Sequence, residues 1–159
     1  MSELVSTNWV YKNLNNRKLV ILDCSWHMPQ EKRDAKKEYG KMHIKNTYFF
    51  DIDKISDIKT NLPHMLPSQR KFEEKVRSFG INQSSLIVAY DVKGIFSSPR
   101  VWWMFKYFGH KNIFVLNGGL KKWLKEKKTV TNKKTYFKKG NFISRLSKEW
   151  LVTKNEVLE

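Results

Sequence analysis

The chain has 159 residues, 40% of them hydrophobic, which fits the usual single-domain range of about 100–200 residues. Its formal net charge of +16 gives a surface that attracts anions. The single cysteine, Cys24, excludes an intrachain disulfide and a cysteine-based zinc site. No segment reaches the ~20 apolar residues of a membrane helix and none resembles a signal peptide, so we expect a soluble, cytoplasmic protein without a membrane partner.

The first half of the chain predicts two strands and two helices. Helical spacing predicts a helix over Asn8–Asn15, and an apolar run predicts a buried strand over Leu19–Cys24. A charged, mostly exposed helix is then expected over Glu31–Tyr39, followed by a strand over Thr47–Phe50. Cys24 ends its strand beside an aspartate, whose charge opposes a thiolate, so we interpret it as a small buried hydrophobic residue.

A long connection, Phe50–Pro67, follows the second strand and shows no clear periodicity. Connections of this length in compact domains are typically functional. This one contains Asp51, Asp53 and His64, residue types that transfer protons or bind polar ligands. From the residues alone, a histidine in such a loop is more often a structural hydrogen-bonding group than a catalyst. Asp51 can equally bond nearby backbone N–H groups or Lys54.

The second half of the chain alternates helices and strands more regularly. The predicted elements are, in order, a helix over Ser68–Phe79, a strand over Leu86–Tyr90, a helix over Pro99–Phe108, a strand over Ile113–Leu116 and a helix over Leu120–Glu126. Such alternation is typical of a parallel sheet with helices on both faces. We therefore expect a three-layer α/β domain over residues 1–126, with a parallel sheet of about five strands.

A strand-loop-helix turn lies at the centre of this pattern. The loop after Tyr90 consists of Asp91, Val92, Lys93, Gly94, Ile95 and Phe96. The sequence Ser97-Ser98-Pro99 then opens the next helix, with serine suited to the cap and proline to the first turn. Because the backbone N–H groups of such a turn point into the mouth of the loop, the turn predicts an anion site.

Five motifs occur in order along the chain: LDCSWHMP at 22–29, FFDID at 49–53, LPHMLPS at 62–68, YDVKGIFSSPRVWWMFKYFGH at 90–110 and LNGGLKKW at 116–123. Together they resemble the amino-terminal domain of tandem-rhodanese sulfurtransferases, the thiosulfate and 3-mercaptopyruvate enzymes. The resemblance implies the rhodanese fold and an active site shared by two domains, with the catalytic cysteine in the carboxyl-terminal domain. Because Asp91 stands here at the loop position of that cysteine, the resemblance identifies this chain as the non-catalytic half.

The resemblance also implies partners and site residues. The implied partner is a carboxyl-terminal catalytic rhodanese domain, the implied substrates are small sulfur donors, and we expect neither a cofactor nor a metal. In mercaptopyruvate-type relatives, the residues that match Asp53 and His64 form a pair, completed by a serine beside the catalytic cysteine of the other domain. In that role the aspartate would set the imidazole tautomer, and the imidazole would move a proton through the serine.

Asp91 is expected to fill the anion cradle that a catalytic cysteine would use. A carboxylate is a poor nucleophile toward sulfur, but its charge suits converging N–H groups and the positive end of a helix. The alternative is that Asp91 binds a partner domain or a ligand. Arg100, on the following helix, is expected to form a salt bridge rather than to bind substrate.

The carboxyl-terminal part of the chain is polar and rich in lysine. Residues 127–152 are predicted to form a linker, which Phe137, Phe142 and Trp150 attach to the domain surface. Residues 153–159 resemble the capped first turn of a helix, which predicts the start of a truncated second rhodanese domain.

We therefore expect a non-catalytic domain of a sulfurtransferase that moves sulfane sulfur from thiosulfate or 3-mercaptopyruvate to a thiophilic acceptor, inactive on its own. A free-standing rhodanese-like module that binds proteins or anions without turnover is the alternative. Nucleic acid is the less expected partner, because the basic stretch Lys121–Lys139 contains nine lysines and no arginine.

Overall fold

The computed structural model describes residues 3–152 and 154–158. Its centre is a parallel five-stranded sheet in the order β1-β5-β4-β2-β3. The strands are β1 (Leu4–Val5), β2 (Leu19–Asp23), β3 (Thr47–Phe49), β4 (Leu86–Tyr90) and β5 (Ile113–Leu116). The α/β class and the four longer strands were predicted correctly. Strand β1 was not predicted, because two residues are too few to show a period of two.

Six helices accompany the sheet in the described part of the chain. They are α1 (Thr7–Asn13), α2 (Ala35–Lys41), α3 (Gln69–Ser78), α4 (Ser98–Tyr107), α5 (Gly119–Lys125) and α6 (Lys154–Leu158), with short 3₁₀ helices at Pro29–Glu31 and Lys148–Trp150. Helices α1, α3, α4 and α5 lie within two residues of their predicted bounds. None of the described helices combines the length and the apolar character needed to cross a membrane.

The predicted helix over Glu31–Tyr39 was wrong in its start. Helix α2 begins at Ala35 because the side chain of Asp34 caps it, accepting a hydrogen bond of 2.9 Å from the N–H of Lys37. Lys32 has a φ of 50°, a left-handed conformation that separates the preceding 3₁₀ turn from the helix.

The sheet carries one hydrophobic core on each face. Ile87 and Ala89 of β4 belong to the core that contains most of the phenylalanines, whereas Val88 and Tyr90 belong to the core around Trp123. This alternation is the ordinary pleat of a strand that is buried on both faces. Strand β2 shows the same alternation. Val20 and Leu22 face the phenylalanine-rich core, and so does Cys24, the residue just after the strand.

Residues 127–152 pack along the domain, although they contain little regular structure. Thr131 and His43 exchange two backbone hydrogen bonds of 2.8 Å, which attach the segment beyond α5 to the residues after α2. Phe142 is fully buried in the phenylalanine-rich core, and the Trp150 ring meets Trp102 edge-on at 5.3 Å. Phe137 contacts the ring of Tyr48. All three aromatic residues predicted to attach this segment therefore contact the domain, and Phe142 enters its core.

The burial of Phe142 makes this segment part of the folded unit. We expect Phe142→Leu to lower the free energy of unfolding by about 1–2 kcal/mol, because the smaller side chain leaves space among the packed rings. The exposed Tyr136, 81% accessible, is the matched control, and Tyr136→Leu should stay within about 0.5 kcal/mol of the unmodified chain. Urea denaturation measures both values. Equal stabilities for the two variants would show that the segment is not part of the core.

The predicted start of a second domain falls partly outside the described residues. Helix α6 covers Lys154–Leu158, while Thr153 and Glu159 lie outside them. A domain beginning at residue 153 therefore stays a prediction.

Candidate active site

The carboxylate of Asp91 occupies the loop between β4 and α4. Both of its oxygens accept hydrogen bonds from the surrounding backbone. Oδ1 accepts from the N–H groups of Lys93 (3.0 Å) and Gly94 (2.9 Å), and Oδ2 accepts from those of Phe96 (2.8 Å), Ser97 (3.0 Å) and Ser98 (3.0 Å) and from the Ser98 hydroxyl (2.7 Å). Asp91 thus fills the anion cradle that the sequence predicted.

This cradle stabilises the ionised form of Asp91. The residue is only 1% exposed, and burial alone would raise its pKa. The hydrogen bonds from the backbone and from Ser98 outweigh that effect, so the pKa of Asp91 is lowered below its ordinary value. Gly94 has a φ of 124°, a conformation that residues with a Cβ rarely adopt, so the loop depends on glycine at this position.

The other predicted loop residues have structural contacts of their own. The N–H of Val92 donates to Oγ of Ser25 at 3.0 Å. The ammonium of Lys93 pairs with Glu31 at 2.6 Å and lies 4.1 Å from the centre of the Phe96 ring. Ile95 and Phe96 are about half exposed, at 49% and 48%. The loop therefore presents two apolar side chains to its surroundings.

Asp53 and His64 are brought together, as the resemblance implied. Nε2 of His64 lies 2.6 Å from Oδ1 of Asp53. The indole N–H of Trp26 donates to the same oxygen at 3.2 Å, and the Trp26 ring meets the imidazole edge-on at 5.1 Å. The His64 side chain is 28% exposed and that of Asp53 64%, so the pair is accessible from outside the domain.

Trp26 also connects the pair to the Asp91 loop. Its ring stacks on that of Phe96, with a centroid distance of 6.5 Å. Trp26 follows β2, Asp53 follows β3 and Asp91 follows β4, so all three lie beyond the carboxyl ends of parallel strands, where α/β folds place their sites. Trp26 was not among the predicted site residues, although its position just after a buried strand was the available signal.

Asp51 contacts Lys54 rather than the Asp53–His64 pair. It accepts a hydrogen bond of 3.2 Å from the N–H of Lys54, and its other oxygen lies 3.8 Å from the ammonium of the same lysine. These are the contacts that the sequence suggested for it. Asp51 and Asp53 both line a cleft of about 350 Å³ beside Trp26. In the described part of the chain, no three His, Cys, Asp or Glu side chains are grouped to hold a metal ion.

Arg100 does not form the predicted salt bridge. Among the described residues it makes no ion pair. One of its Nη2 protons is instead donated to the backbone carbonyl of His64, and the guanidinium lies 4.5 Å from the centre of the Trp103 ring. Burial lowers the pKa of Arg100. The prediction failed because the nearest acceptor belongs to a distant backbone group, which no local pattern reveals.

Cys24 is buried, as predicted. It is fully inaccessible, and its thiol donates a weak hydrogen bond of 3.5 Å to the carbonyl of Leu22. Burial raises the pKa of the thiol well above its usual value, and the charges of Asp23 and Asp91 add to this effect. The thiolate, the reactive form, is therefore disfavoured.

We expect Cys24 to resist thiol reagents in the folded chain. Its reaction with a disulfide reagent should be at least about 100-fold slower in native buffer than in denaturant, because it requires opening of the core. Absorbance of the released thiolate measures both rates. Similar rates under the two conditions would show that the thiol is accessible.

Comparisons with known proteins identify the family of this chain. The model of the Rhodanese-like domain matches residues 6–126. This chain belongs to the rhodanese family. It is 50% identical over 120 residues to thiosulfate/3-mercaptopyruvate sulfurtransferase 1, mitochondrial, of Arabidopsis thaliana, a match that covers 76% of this chain and 32% of that protein. It is 36% identical to mouse 3-mercaptopyruvate sulfurtransferase, covering 98% of this chain and 54% of that protein.

A solved structure confirms the rhodanese fold. The crystal structure of SseA from Escherichia coli, described as a 3-mercaptopyruvate sulfotransferase, superposes with a TM-score of 0.93 at 32% identity. The match covers 99% of this chain and 61% of that one. The chain thus spans about a third to three fifths of the length of these rhodanese relatives. Because one of them is mitochondrial, a cytoplasmic location stays a prediction.

Proposed function

We propose that this chain is the amino-terminal, non-catalytic rhodanese domain of a sulfurtransferase that moves sulfane sulfur from thiosulfate or 3-mercaptopyruvate to a thiophilic acceptor. The observation that carries the proposal is the carboxylate of Asp91, which accepts five backbone N–H bonds in the loop where a catalytic rhodanese domain carries its cysteine. A carboxylate at this place accepts the hydrogen bonds of the loop's N–H groups but cannot carry a persulfide. The thiol of Cys24 is buried, so it offers no replacement nucleophile.

A carboxyl-terminal catalytic rhodanese domain is the proposed partner. The matched relatives are longer than this chain, which leaves room for a second domain. Exposed apolar side chains lie on the Asp91 loop and next to His64 in the chain, namely Ile95, Phe96 and Met65, which are 44–49% accessible. Apolar groups collected around accessible polar ones are typical of a surface that a partner covers. This surface argues against a free-standing module, which would leave it in water.

The Asp53–His64 pair supports one step of the proposed reaction. The thiolate of the partner domain attacks the sulfur of 3-mercaptopyruvate, the C–S bond breaks, and its electron pair passes to carbon. The thiol proton of the donor must reach that carbon, which yields pyruvate and a cysteine persulfide. An imidazole held by an aspartate is suited to relay this proton. Attack of cyanide on the persulfide then gives thiocyanate and restores the thiolate.

Sulfur transfer to cyanide tests the proposal. The purified chain and its Cys24→Ser variant are assayed with both donors, beside a chimera in which the chain replaces the matched region of the Arabidopsis relative. We expect no thiocyanate from the chain alone and turnover by the chimera. Activity of the isolated chain that Cys24→Ser abolishes would overturn the non-catalytic assignment. A folded chimera without turnover, beside an active Arabidopsis enzyme, would favour the binding module instead.

A further inference from the structure

Arg100 stands out because, within residues 3–152 and 154–158, its guanidinium has no partner of opposite charge. Arg100 is partly buried, and charged side chains are rarely taken out of water unless they are paired. Here the Nε–H is buried and has no hydrogen-bond partner among the described residues. The side chain lies over Trp103, its neighbour on helix α4, which fixes its direction. A placement without a counter-charge indicates that Arg100 is directed at something other than an ion pair.

The group that Arg100 reaches is the main chain of His64. Its Nη2 donates to the His64 carbonyl. His64 has a φ of 58°, in the left-handed region that side chains with a Cβ adopt only when their surroundings impose it. The hydrogen bond therefore acts on the one backbone position of the Asp53–His64 pair that is conformationally unfavourable.

The connection that carries the pair is anchored in the core at Ile52 and Ile55, but its middle is exposed. Asp53 and His64 both belong to it, and its side chains Ile58 and Leu62 are 74% and 61% exposed. Trp26, beyond the end of β2, contacts the ring of His64, whereas Arg100, on α4, contacts its backbone. His64 is thus held by Asp53 and by two further contacts. Trp26 contacts its ring and Arg100 bonds its backbone carbonyl.

We propose that Arg100 is a positioning residue for His64: its hydrogen bond to the His64 carbonyl holds the left-handed backbone that presents Nε2 to Asp53. The inference deepens the proposed function, since it names a residue that acts on the proton relay without touching the substrate. The contact links helix α4, which begins at the Asp91 cradle, to the connection. One helix thereby positions both parts of the candidate site.

Nuclear magnetic resonance of the isolated chain tests the inference without turnover. The imidazole nitrogen shifts report the His64 tautomer, and Asp53→Asn defines the signal of an unpaired ring. We expect Arg100→Met to move the His64 signals toward those of Asp53→Asn and to speed amide exchange at residues 62–66 at least ten-fold. Arg100→Lys should restore part of the signal, because an ammonium can donate to the same carbonyl. Arg70→Met, which alters an exposed arginine on α3, is the matched control.

Each result decides the inference. His64 signals and exchange rates that are the same in Arg100→Met and Arg70→Met would overturn it. If Arg100→Met does not fold, the unmodified chain supplies the test: a hydrogen-bonded guanidinium shows separate, slowly exchanging Nη2 protons close to His64, and a single averaged Nη signal would overturn the inference.

Turnover separates this inference from the proposed function. In the active chimera, Arg100→Met should lower kcat for 3-mercaptopyruvate about ten-fold at nearly unchanged KM, because a misplaced group loses rate rather than substrate affinity. If His64→Ala leaves that turnover unchanged, the proposed role of His64 fails. The NMR signals of His64 in the Arg100 variants still test the contact with Arg100.

Discussion

Replacing Asp91 by alanine is expected to lower the free energy of unfolding by about 3–5 kcal/mol, as for other buried charged groups that hold a network. The carboxylate accepts five backbone N–H bonds and one from the Ser98 hydroxyl. Its removal leaves these donors without an acceptor, and each buried donor that stays unsatisfied costs about 1–3 kcal/mol unless water enters. Chemical denaturation of the two chains measures the difference.

The isosteric variant Asp91→Asn separates charge from shape. It keeps one carbonyl acceptor, so at neutral pH we expect it to lower the free energy of unfolding less than Asp91→Ala does. The pKa of Asp91 is lowered in the folded chain, so the stability it contributes is present above the unfolded value of about 3.9. That contribution is lost as the pH falls through the lowered folded value. The difference in unfolding free energy between the unmodified chain and Asp91→Asn should therefore become smaller below about pH 4. A difference that grows there would contradict stabilisation of the ionised carboxylate by the cradle.

The second large effect is expected in catalysis. In the active chimera, His64→Ala should lower turnover of 3-mercaptopyruvate by about 10²–10⁴-fold, the usual contribution of a general acid–base group. Asp53→Asn should produce a similar loss, and the two changes together should cost little more than one, because the residues act as a unit. Steady-state pyruvate formation measures each variant.

Thiosulfate supplies the matched control reaction. Attack on thiosulfate releases sulfite, a stable anion, so no proton has to be delivered to carbon. We therefore expect His64→Ala to spare thiosulfate turnover to within a factor of about three while it reduces mercaptopyruvate turnover. Arg70, whose side chain is 89% exposed on α3, serves as a structural control, and Arg70→Met should affect both donors little. Equal losses with both donors would indicate a damaged interface rather than a missing proton relay.

Local patterns predicted most of the fold and the centre of the site. Strands β2 to β5 could be predicted because their continuous apolar runs end at turn residues. Helix α3 could be predicted from its N-cap, Ser68. The Asp91 cradle followed from a strand, a short loop and a helix start that are contiguous in sequence. The Asp53–His64 pair was reached through the family resemblance rather than through its spacing.

Other features depended on contacts between distant parts of the chain. The start of α2 was predicted wrongly because the cap at Asp34 competed with a charge pattern that extends beyond the helix. The contacts of Trp26 and Arg100 could also be identified only from the structure. Each acts on the connection from another element, 27 and 36 residues away from the partner it bonds.

The α/β class, four of the five strands and the carboxylate in the loop before α4 follow from local sequence, since hydrophobic period, capping and loop chemistry act between residues close in the chain. Three features depend on contacts between distant parts of the chain: Phe142 completes the core, Leu4–Val5 adds a fifth strand and Arg100 bonds the backbone of His64. These contacts form when the sheet and its helices assemble. Their partners are chosen by three-dimensional proximity, which no local pattern in the chain encodes.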